Sequence, residues 1–160
     1  MFPIDVAGSI RLRNLTNPSR DIKPVAERIA DMLDEAGASE VWLEQDAVRF
    51  KRGLLAGGVW SSSWNILVPF DSGSLQIETE DTSLRVHYRW SMLRLMLIVT
   101  ALMVVVFALG IQHHIKRPID WQAAIKIAGF GWLWLFGMNY LTGMIRVPLW
   151  LKRGLKDVAK

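Results

Sequence analysis

LMLIVTALMVVVFALGI, residues 95–111, decides how the rest of the chain is read. It carries no charge, proline or side-chain amide. Apolarity on every side is a property of helices that water does not reach. Residues 91–94 extend the run, and from 91 to 111 a helix rises about 30 Å, roughly one hydrocarbon thickness. A second uncharged stretch, IAGFGWLWLFGMNYLTGMI at residues 127–145, follows a short polar link. Together the two predict a membrane-spanning helical hairpin, with spans at about 92–111 and 124–146.

The second stretch differs in character. Glycine is common in transmembrane helices, and small residues let another helix approach closely. Gly129, Gly137 and Gly143 are therefore expected at a helix–helix interface. Asn139 joins them, because an amide near mid-span seeks a partner across an interface. Its alternative is a bond to its own backbone or to a water. Trp90, Arg94, Trp121, Trp150, Lys152 and Arg153 flank the two runs and are expected as interface anchors. Pro148 is expected to kink or stop the second helix. Beyond it, Val147, Leu151, Leu155 and Val158 form an apolar stripe opposite Lys152, Arg153, Lys156 and Lys160. That pattern predicts a basic amphipathic tail lying on anionic headgroups.

Charge follows the same division. Residues 1–90 hold 10 basic and 13 acidic side chains, whereas residues 91–160 hold 9 and 2. The pI near 9.7 therefore reflects helix ends and points to anionic lipid rather than nucleic acid. More basic residues lie on the side of the two termini than in the connecting loop. The expected topology has both termini cytoplasmic and the loop outside, in a plasma or inner membrane. The first residues, MFPIDVAGS, lack the pattern of a signal peptide.

Residues 1–90 read as a small α+β domain, one helix on an antiparallel sheet. Ile10 and Leu12 alternate with Arg11 and Arg13, as in a short strand. Ile22, Val25, Ile29, Leu33 and Ala36 fall on one helical stripe over about 21–36, with Asp21 as the cap and Gly37 as the stop. Two hairpins have a register fixed by both faces at once. One pairs Leu43 with Val48, Val41 with Phe50, Trp42 with Arg49 and Glu40 with Lys51. The other pairs Ile77 with Val86, Leu75 with Tyr88 and Glu78 with Arg85. Its turn, residues 80–83, lacks Asn-Gly or Asp-Gly and predicts a four-residue loop. Residues 53–70 are uncharged. They read either as a glycine-bent strand pair in the core or as a loop dipping into the interface with Trp60 and Trp64 at headgroup depth.

Chemistry is sparse. With no cysteine there is no disulfide, thiolate metal site or cysteine nucleophile. His113 and His114 are adjacent, a spacing that suits no shared metal. No phosphate loop, dinucleotide fingerprint or nucleophile elbow is present. The expectation is a non-catalytic integral membrane protein without cofactor or metal, an accessory, assembly or scaffold subunit of a membrane complex. Its expected partners are the lipid bilayer and other membrane subunits or further copies of itself, not nucleic acid. The alternative is a membrane-tethered sensor or binding module coupled through the junction at residues 90–94.

Overall fold

The computed structural model describes residues 4–12, 18–53, 65–80, 83–113, 121–156 and 158. Among these residues five strands and three helices follow in the order β1 (Asp5–Leu12), α1 (Pro18–Glu35), β2 (Glu40–Leu43), β3 (Ala47–Lys51), β4 (Ser72–Glu80), β5 (Ser83–Ser91), α2 (Leu93–His113) and α3 (Trp121–Gly154). The strands form one antiparallel sheet in the order β1-β5-β4-β3-β2.

Both hairpins take the register that their two faces specify. Val41 pairs with Phe50 and Leu43 with Val48; Leu75 pairs with Tyr88 and Ile77 with Val86. The second turn is tighter than expected. Glu80 pairs with Ser83, so only residues 81–82, outside the described residues, separate the strands. The Ser83 hydroxyl supports this end by donating to Glu80 O at 3.0 Å. Helix α1 begins at Pro18, three residues before the expected cap, because proline at the first helical position gives up no intrahelical bond. It stops at Gly37 (φ 84°), where Gly37 N–H donates to Asp34 O and Ala38 N–H to Leu33 O. These two bonds form the glycine-terminated helix end that satisfies the orphan carbonyls.

One face of the sheet is apolar and the other is charged. Val25, Ile29 and Leu33 of α1 pack on Val48, Phe50, Leu75, Ile77, Leu84 and Val86, all buried. The opposite face carries ion pairs, Arg11 and Arg85 on Glu80 at 3.1 and 3.0 Å and Arg89 on Asp5 at 2.6 Å, and His87 Nε2 lies 3.3 Å from Glu78 Oε2. Gly8 lies opposite Tyr88, and the Tyr88 ring occupies the space a Cβ at Gly8 would need. Burial raises the Tyr88 pKa. The unfolded chain then releases this proton first, above about pH 10, while the native state keeps it. Stability is unaffected by Tyr88 below that pH and falls as the pH climbs toward its native pKa. In alkaline denaturation series, Tyr88→Phe is expected to fall less steeply above about pH 10 than the parent protein.

The transmembrane hairpin is corrected by the structure. Helices α2 and α3 do pair antiparallel, but among the described residues no helix is long and apolar enough to cross a membrane. In α2 the apolar run starts only after Arg94, whose guanidinium is turned to the carbonyls of Arg52 and Gly53. In α3 the uncharged run is diluted by four glycines and Asn139. The integral membrane subunit, the tethered sensor and the inside–outside topology built on two spans all lose their support with this finding.

The separate tail is corrected as well. Helix α3 continues through Pro148 to Gly154. Phe136, Tyr140, Gly143, Val147, Leu151 and Leu155 make one stripe at spacings of three and four. All but the partly buried Tyr140 are buried. The second half of α3 thus lies on the sheet domain, and the stripe read as lipid-facing is core. Residues 53–70 are settled only at their end. Residues 54–64, with Trp60 and Trp64, lie outside the described residues. Ile66, Leu67 and Phe70 are buried in the core from a turn rather than a strand.

Candidate functional site

The junction between sheet and hairpin is rigid by construction. Only Met92 separates β5 from α2; it is fully buried and its N–H donates to Ile4 O at 2.9 Å. Arg94 does not reach outward as an anchor. Its Nη1 and Nη2 donate to Gly53 O and Arg52 O at 3.2 and 2.9 Å. Trp90 is no surface anchor either, being fully buried. Its ring meets those of Phe50, Phe70 and Trp150 edge-on, with centroids 5.0–5.8 Å apart. The cluster ties β3, β5, the turn before β4 and α3 together, and a residue with this role has no signature separate from a membrane-edge tryptophan in one dimension.

Of the expected helix–helix contacts, Gly143 faces the sheet domain. A Cβ there would sit 3.0 Å from Phe70 Cζ and 3.4 Å from Val6 Cγ2, so the glycine lets α3 approach. Among the described residues a Cβ at Gly129 would meet nothing within 4 Å, and one at Gly137 would meet only Leu133 of its own helix. Asn139 Nδ2 donates to Leu135 O at 2.6 Å, one turn back on its own helix. The α2–α3 contact runs instead through Gly131 beside Met103, Trp132 Nε1 donating to Thr100 Oγ1 at 3.0 Å, and Phe107 against Trp121.

Beyond these contacts the hairpin is exposed and apolar. Leu97, Ile98, Val104, Val105, Ile127, Phe130 and Trp134 are each more than half exposed. The sheet domain, by contrast, shows only Trp42, Leu43 and Val68 as exposed large apolar side chains among its described residues before α2. At 100° per residue, the exposed positions of α2 cover about two thirds of its circumference. Apolar patches beyond a few hundred Å² mark interaction surfaces.

Two grooves flank the hairpin's base. One, of about 460 Å³, lies on the charged face, lined in part by Arg49, Arg89 and Arg94. Its arginines are engaged, by Glu44, by Asp5 and by two carbonyls. The other, of about 680 Å³, lies between α1 and the end of α3. Its charged lining is Arg28, Arg146, Arg153 and Glu35, a net of +2. Its apolar wall is Met32, Ile66, Leu149 and Trp150. Arg28 is fixed by Glu35 at 3.5 Å and by Gly154 O at 3.5 Å. Lys152 and Arg153 are exposed. This groove joins residues over 110 positions apart, so no local pattern announces it. Among the described residues no cluster of histidine, aspartate or glutamate is arranged to hold a metal.

No family model matches the chain, and neither the curated proteins nor the solved structures include a significant match.

Proposed function

We propose that the protein is a non-catalytic lipid-binding module. Its helical hairpin lays its exposed apolar side chains against lipid, and its sheet domain is held beside that lipid surface. The reading requires contact with hydrocarbon, not passage of either helix from one face of a bilayer to the other. One observation carries it: the exposed apolar side chains wrap around the hairpin rather than forming one flat patch. A protein partner covers one side of a helix pair, whereas a fluid apolar phase covers all of them. Trp121, half exposed at the far end, suits an edge position where an amphipathic ring meets water. The rigid Met92 junction fixes the domain's orientation to that surface.

Flotation of the full chain with phosphatidylcholine vesicles tests this. The parent protein is expected to rise with the vesicles. The variant Val105→Lys/Ile127→Lys/Phe130→Lys is expected to bind at least about 100-fold more weakly, since each lysine in hydrocarbon costs up to ~2.5–3.5 kcal/mol. All three positions are exposed, so the circular dichroism of the fold stays unchanged. A parent protein that remains below the vesicles as a protein-only oligomer, or a triple variant that floats equally well, overturns the reading.

A further inference from the structure

We propose that the outer edge of β1 pairs with β1 of a second copy, joining two five-stranded sheets into one antiparallel sheet. The proposal uses the sheet domain alone and stands apart from the lipid-binding reading. Met92 N–H donates to Ile4 O, which fixes the phase of the β1–β5 ladder. Bonded and non-bonded pairs alternate along an antiparallel pair. Val6, Gly8, Ile10 and Leu12 therefore turn their backbone groups to β5, and Asp5, Ala7, Ser9 and Arg11 turn theirs outward. The Asp5 carbonyl agrees, accepting from the Tyr140 hydroxyl of α3 at 3.5 Å. Among the described residues no strand pairs with this edge. Sheet edges are usually blunted by shortness, proline, lysine or a bulge. The β1 edge has none of these: DVAGSIRL runs for eight residues in unbroken register with β5, whereas β2 at the other edge has four. Ala7, Gly8 and Ser9 are exposed at its centre, and their small side chains leave room for a neighbouring strand.

The register selects the occupant. One antiparallel alignment of two β1 strands engages all four outward residues, with Ala7 opposite Ser9, Asp5 opposite Arg11 and a twofold axis at Gly8. It is self-complementary, as a closed twofold contact requires: small side chains face small ones and acid faces base. Sliding the copies by two residues leaves Asp5 or Arg11 beyond the end of the other strand. Neither charge has to leave its present partner. Asp5 holds Arg89, and Arg11 holds Glu80 and Ser83, but a carboxylate has about four acceptor sites and a guanidinium five donors. Main-chain bonds supply the affinity, and the charges select the alignment. The same rotation puts the two Met92 junctions at opposite ends of the joined sheet, so strand pairing is read separately from any association of the hairpins.

The chain has no cysteine, so introduced thiols report the alignment directly. In non-ionic detergent, an equal mixture of Ala7→Cys and Ser9→Cys chains is expected to give at least about 10-fold more disulfide-linked dimer than either variant alone. Facing residues lie about 5.5 Å apart at Cα, whereas like positions are roughly 9 Å apart, beyond the ~7 Å reach of a disulfide. Ser9→Pro removes an outward N–H that β5 does not use and is expected to raise the dissociation constant of the dimer at least about 10-fold in sedimentation, with the circular dichroism of the fold retained. Ser9→Ala keeps that N–H and is expected to keep the dimer. A mixture that links no better than the single variants, or a folded Ser9→Pro chain that sediments as the parent does, overturns the proposal.

Discussion

Replacing Trp90 with alanine is expected to cost about 3–5 kcal/mol, the usual range for emptying a large aromatic site in a core. The position warrants the upper part of that range. Trp90 is fully buried, and three rings close on it from three different elements. Gly73 presses on the same site from β4: a Cβ there would lie 2.7 Å from Trp90 Cδ1. The cavity therefore opens where the sheet, the turn before β4 and α3 meet, and collapse from one side leaves the other two unfilled. Trp90→Phe separates shape from polarity. It retains most of the ring contacts and removes an indole N–H that has no hydrogen-bond partner among the described residues. Its cost is expected to stay below about 1.5 kcal/mol. Denaturant unfolding of both variants in the same non-ionic detergent checks this, and an alanine variant as stable as the parent would remove Trp90 from the centre of the core.

Leu151→Asp is expected to be worse still, above about 4–5 kcal/mol, through a charge buried without a partner. Leu151 is fully buried on the stripe that α3 lays on the sheet. Lys152, the next residue, is exposed, and Lys152→Asp is expected to cost less than about 1 kcal/mol. Limited proteolysis combined with thermal unfolding reads the difference. In the Leu151 variant the end of α3 is expected to detach and be cut early; in the Lys152 variant it stays protected. If both variants behaved alike, the end of α3 would be a surface tail rather than part of the core.

The contrast between these neighbours shows where the sequence is legible. Val41, Leu43, Val48 and Phe50 state their own pairing, because a one-residue slip turns every one of them to the wrong face. The α1 stripe and its glycine stop are equally local. Pairing of β1 with β5 is not local: Val6 meets Trp90 across more than 80 residues, and alternation along one strand says nothing about its neighbour. Residues 95–111 carry no charged side chain, yet hydropathy alone does not distinguish a crossing helix from one that exposes an apolar surface beside a folded domain. In α3 the stripe from Phe136 to Leu155 is visible in the sequence. Pro148 interrupts it, and reading proline as a boundary divides one helix into a span and a tail. The arginine groove needs α1 and α3 already in place, and so emerges only in three dimensions.

The closure of α3 over the sheet sets a schedule during synthesis. The five strands are complete once residue 91 has been made, but Met32 and Trp90 acquire their last cover only from Trp150 and Gly154. At ~5–20 residues per second, the intervening 63 residues take roughly 3–13 s to translate. Throughout that interval the part of the apolar face around Trp90 lacks its α3 cover beside an emerging apolar hairpin, the kind of transient exposure that makes unfinished chains stick to one another. Shortening the interval with faster codons between positions 91 and 154 offers a way to raise the yield of the protein without changing a single residue.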